Sequence, residues 1–94
     1  MPVEIRDLDG KIILVYDAET LINANLKNRN LTKADFRNMN LSMINLEYAR
    51  CRGADFSESI LKKAYMPYAQ CMDAVFHGTD FEGANIERVR FDNA

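Results

Sequence analysis

The residues best equipped for chemistry are two cysteines, Cys51 and Cys71, a single histidine, His77, and carboxylates such as Asp35, Asp55 and Asp80. A thiolate beside an imidazole makes an activated nucleophile, and a cluster of Cys and His makes a zinc site. Paired carboxylates can share acid–base work. Each use requires the groups to converge, and their spacing argues against it. The cysteines fall in phase with a series of large apolar residues, whereas His77 directly follows one member of that series, Phe76, and points elsewhere. Two thiols and one remote imidazole cannot complete four zinc ligands. The 4 glycines are scattered, so there is no glycine-rich phosphate loop. No catalytic residue, metal or cofactor is expected, and the chain reads as a non-enzyme.

The series that sets this phase has a beat of five and a return of twenty. "KADFRNMNL" occupies residues 33–41, "GADFSESIL" 53–61 and "DAVFHGTDF" 73–81. From residue 24 onward the pentads centre on Leu26, Leu31, Phe36, Leu41, Leu46, Cys51, Phe56, Leu61, Met66, Cys71, Phe76, Phe81, Ile86 and Phe91. Two residues before most centres stands an alanine, with Met39, Ile44, Ser59, Thr79 and Val89 as variants and Arg29 as the one outright violation. A 3.6-residue helix drifts off this beat within two turns, and a two-residue strand alternation fails equally. Taken alone, "SESILKKAYM" has a helix signature, with Ser57 as N-cap and Pro67 just past its end. The pentad phase nevertheless continues unbroken on both sides, so no helix is expected there.

In stretches such as "ANLKNRNLTKADF" and "GTDFEGANI" the pattern resembles the pentapeptide-repeat family. The resemblance implies an all-β fold, a right-handed quadrilateral β-helix of about three and a half coils. Each pentad would form one side, with its centre and its small residue pointing inward. Residues twenty apart would then stack: Phe36, Phe56 and Phe76 as an aromatic ladder, Leu41, Leu61 and Phe81 beside it, then Leu26, Leu46, Met66 and Ile86, and finally Leu31, Cys51, Cys71 and Phe91. One strand spacing apart, Cys51 and Cys71 could satisfy disulfide geometry, but packed thiols are expected, because free cysteine is among the most buried residue types. Asp35, Asp55 and Asp80 fall where the family places Asn or Asp, and such short side chains bond to local backbone at corners.

Ahead of the repeats, "VEIRDLDGKIILVY" carries an Asp9-Gly10 turn between two runs of β-formers. A hairpin is expected, with strands near 3–8 and 11–16, acting with the transition to residue 22 as a cap on the 23–94 repeat. The net charge of −2 comes without any block of like charge, and the longest apolar run, Ile12 to Tyr16, is far too short to span a membrane. The opening lacks the pattern of a signal peptide, and a cytoplasmic protein with reduced cysteines is expected.

Outward positions that are not polar have no folding excuse. Tyr48, Tyr65, Pro67 and Tyr68, with Met72 and Val75 around the next corner, form a candidate partner surface. Lys33, Arg50, Arg52 and Arg90 make a basic face, but Asp73 and Asp92 stand among them, so direct nucleic-acid binding is not expected. Phe81, Ile86 and Phe91 in the last coil are candidates for self-association as a homodimer. The expected function is a non-catalytic interaction or scaffold module with a protein partner. The alternative is a DNA mimic that inhibits or protects a type II topoisomerase such as gyrase, as some family members do. Against it, three and a half coils give roughly 17 Å, and no face gathers charge at the density of duplex DNA.

Overall fold

A carboxylate and a glycine set up the first turn. Asp7 Oδ1 accepts the N–H groups of Asp9 and Lys11, both at 2.9 Å, and Gly10 adopts a φ of 86° that other residues resist. The computed structural model, which describes residues 1–94, accordingly opens with an antiparallel hairpin of β1 (Val3–Arg6) and β2 (Ile12–Tyr16). The strands are shorter than their β-forming runs. A bulge interrupts the register beside Arg6, and the chain then leaves the hairpin to dock on the repeat. Asp7 bridges Ala34 in antiparallel sense, Leu8 N–H donates to the Lys33 carbonyl at 2.9 Å, and Asp35 N–H donates to the Arg6 carbonyl at 2.8 Å. Tyr16 Oη accepts the Asn25 N–H at 3.1 Å. The hairpin is thus bonded to the first circuit at two places, and Ile5 is completely buried beneath it.

Beyond the hairpin the structure is β throughout, with no helix. Parallel bridges join residues twenty apart in four series: Asn25–Asn45–Tyr65–Asn85, Asn30–Arg50–Gln70–Arg90, Asp35–Asp55–Val75 and Asn40–Ile60–Asp80. The chain therefore returns over itself every twenty residues. Pairing runs through Ile60 and Tyr65, so the helical propensity of residues 57–66 is overridden by long-range bonding. Each pentad ends in a tight turn: the centre's carbonyl accepts the N–H three residues on, as from Ala54 to Cys51 at 3.1 Å. Every fifth residue from Asn23 to Asn93 has a φ between 56° and 71°, the left-handed residue of a type II-like turn.

The turns drive the centres inward. Leu26, Leu31, Phe36, Leu41, Leu46, Cys51, Phe56, Leu61, Met66 and Cys71 are wholly buried, and the alanines from Ala24 to Ala74 lie beside them. The series begins one pentad before residue 26, at buried Leu21. Phe36 and Phe56 stack with ring centroids 5.0 Å apart, and Phe56 and Phe76 at 4.9 Å with their planes 8° apart. Half-buried Phe76 is covered from above by Phe81 (5.2 Å, tilted) and Phe91 (5.5 Å, edge-on). Arg29, on the first circuit, is exposed, so this position of the series does not bury its charge.

One inward position is polar. Ser59 is 1% exposed and its Oγ has no hydrogen-bond partner, whereas Thr79, one circuit on, donates its Oγ1 to the Phe56 carbonyl at 2.8 Å. An unpaired buried hydroxyl costs about 1–3 kcal/mol. Replacing Ser59→Ala is expected to raise the thermal midpoint by about 4–8 °C, read by calorimetry. By contrast, Phe56→Ala, which opens a gap between two stacked rings, is expected to cost about 3–5 kcal/mol.

Candidate functional site

On the face built by residues 25–28 and their successors, a regular corner is broken once. Asn25, Asn45 and Asn85 each accept, through Oδ1, the N–H two residues on, from Lys27 (3.2 Å), Glu47 (3.0 Å) and Glu87 (3.0 Å). In the third circuit the same two places hold Tyr65 and Pro67. A tyrosine cannot fold back to accept that bond, and a proline has no N–H to offer. The two substitutions compensate, so no donor is orphaned and a phenol takes the place of an amide on the surface.

Pro67 itself is buried, which corrects its assignment to the exposed surface. Its ring is short and lies against the backbone, between the column neighbours Glu47 and Glu87. Its carbonyl accepts the Tyr48 N–H at 3.1 Å, tying the proline to the next tyrosine column. There Tyr48 and Tyr68 stack face to face, centroids 5.0 Å apart and planes 4° from parallel. Both occupy left-handed turn positions, with φ of 57° and 63°, where aromatic residues are uncommon. Tyr48, Tyr65 and Tyr68 are 47%, 44% and 40% exposed. Met72 and Val75 are half-buried, so the accessible part of the patch is the three tyrosines.

The other candidates divide between core and solvated surface. Cys51 and Cys71 are free and fully buried, one above the other. A hydrogen bond with the Cys71 thiol, together with burial, pushes the Cys51 thiol well above its ordinary range, so it is not a nucleophile. His77 is exposed on another face, and no group of His, Cys, Asp and Glu is arranged to hold a metal ion. Asp35, Asp55 and Asp80 accept the N–H groups of Arg37, Ser57 and Glu82. Asp35 also binds the Arg37 guanidinium through two 2.9 Å bonds, which hold its carboxyl below the usual range. In the basic face Arg52 pairs with Asp73 at 3.7 Å and Arg90 with Asp92 at 2.8 Å, while Lys33 and Arg50 make no ion pair, so half of its cations are neutralised. In the last circuit Ile86 is 44% exposed, while Phe81 and Phe91 are half-buried.

The sequence reading missed the exposed apolar residues of the hairpin, Leu8, Ile12 and Val15. It treated the hairpin as a lid over the first coil and did not separate its two faces. A two-stranded ribbon has two faces and only one can cover the coil, which was the available signal.

A family model described as Pentapeptide repeats matches residues 21–43 and 69–94, with 8 copies. No curated protein matches the chain. No helix of the structure is long and apolar enough to cross a membrane.

The Tyr65/Pro67 exchange is testable by a double-mutant cycle. Pro67→Ala restores an N–H with no acceptor in a buried place and is expected to cost about 1–2 kcal/mol in urea unfolding. Adding Tyr65→Asn supplies the acceptor and is expected to return about 1 kcal/mol of that loss. Additive single effects would show that the two positions are not coupled.

Proposed function

The chain belongs to the pentapeptide-repeat family, and we propose that it works as a non-catalytic, cytosolic protein-interaction scaffold whose binding face is Tyr48, Tyr65 and Tyr68. In this reading the pentads wind as a right-handed, four-sided β-helix of about three and a half coils, and the tyrosines project from one side. The observation that carries it is the Tyr48–Tyr68 stack on the outside of the molecule, with Tyr65 exposed beside it. Stacking fixes the rings before any partner arrives, so little side-chain entropy is left to lose on binding. Aromatic rings of this kind anchor protein interfaces.

Self-association through the last circuit is part of the same reading, supported by exposed Ile86 and its half-buried neighbours Phe81 and Phe91. Imitation of DNA is less well supported. The molecule measures 32 × 25 × 24 Å, shorter than one turn of duplex at about 34 Å. Several of its carboxylates are also neutralised by cations: Lys62 lies 3.7 Å from both Asp80 and Glu82.

Affinity capture from lysate of the source cells tests the scaffold reading. The intact protein is expected to retain a protein that the Tyr48→Ser/Tyr65→Ser/Tyr68→Ser variant, equally folded by circular dichroism, loses by at least about tenfold. Identical capture by both proteins would discard the tyrosine face, and inhibition of gyrase supercoiling would replace it with DNA mimicry.

A further inference from the structure

The hairpin leaves one strand edge unpaired. Apart from their bonds to β1, the peptide groups of Ile12–Val15 make no backbone hydrogen bond, whereas each circuit up to Asp73 is bonded to the one above it. Exposed strand edges are normally blunted by a charge, a proline or a cover. Here the strand, IILVY, contains neither charge nor proline, and Ile12 and Val15 are 41% and 53% exposed. Beside it lies an open depression of about 350 Å³, lined by Lys11, Ile12, Ile13, Asn30 and Thr32, so nothing in the chain covers that flank.

The residues bounding the strand identify what pairs with it. Lys11 and Asp17 stand three positions on either side of Leu14, both are exposed, and neither makes an ion pair within the chain. We propose that β2 pairs with β2 of a second copy of this chain, antiparallel about a two-fold axis at Leu14. That register sets Lys11 opposite Asp17 of the second copy, twice, and brings Ile12 opposite Tyr16 and Ile13 opposite Val15. A parallel, in-register pairing would instead place lysine beside lysine and aspartate beside aspartate, which is repulsive. The strand is therefore complementary to itself in one orientation only, and an isologous dimer satisfies edge and charges together. This surface lies at the hairpin end, which is bonded to the first circuit and not to the last. Because the edge is short, the dimer is weak.

Light scattering coupled to size exclusion, over a dilution series from about 1 μM to about 1 mM, tests it. A chain carrying Ile86→Glu, which silences the last circuit, is expected to pass from monomer to dimer across the series. Lys11→Glu or Asp17→Lys alone turns two attractions into two repulsions and is expected to weaken the dimer about tenfold. The pair Lys11→Glu/Asp17→Lys restores opposite charges and is expected to recover dimerisation. Neither change disturbs the turn, because Asp7 binds the main chain of residue 11 and not its side chain. A natural chain that is monomeric throughout would overturn the proposal, as would a dimer indifferent to both reversals. A dimer dissociated only by Ile86→Glu would assign self-association to the last circuit instead.

Discussion

A left-handed residue at every fifth position is the constraint on which the rest of this structure depends. For an L-residue that conformation costs up to roughly 1–2 kcal/mol, yet from Asn23 to Asn93 it recurs without a gap, with glycine at only three of those places, Gly53, Gly78 and Gly83. What holds it is the surrounding bonding: each turn is closed by its own hydrogen bond, and those of the inner circuits are clamped to the turns twenty residues before and after. Slip the left-handed residue by one place and every centre would leave the core at once. The same constraint frees the surface. The turn residue points outward and its identity hardly matters to the backbone, so the chain can place asparagine, lysine, glutamate or tyrosine there.

Stacking makes chemistry local to a column. Cys51 touches Cys71, Tyr48 touches Tyr68, and the exchange of an Asn for Tyr65 is balanced two residues away by Pro67. In a globular core such changes would disturb many neighbours. Here each is confined to the circuits directly above and below, which is how a fixed scaffold can carry a distinctive face.

Most of the interior was legible in the sequence, because burial follows the five-residue phase and the phase is written in residue size. The stacked tyrosines were legible for the same reason: Tyr48 and Tyr68 are one circuit apart. Leu21 escaped because its partner two places back is Glu19, not a small residue, so the pattern had no second mark there. Pro67 was misplaced because phase predicts direction and not exposure. The docking of Asp7 and Leu8 on Lys33 and Ala34 could not be read at all, since a hairpin signal specifies pairing within the ribbon and says nothing of where its end attaches. Ser59 looked like an ordinary small residue, and only the three-dimensional surroundings show that its hydroxyl is stranded.

The attachment of the hairpin to residues 33–35 has a bearing on how the molecule is made. The hairpin and the first circuit leave the ribosome ahead of everything that rests on them, and together they already present a bonded rim. Each further twenty residues need only settle onto an edge that exists, finding partners no farther back than the previous circuit. The chain can thus grow in the order of its synthesis, each layer acting as the template for the next, without waiting for its C-terminal residues to close a core.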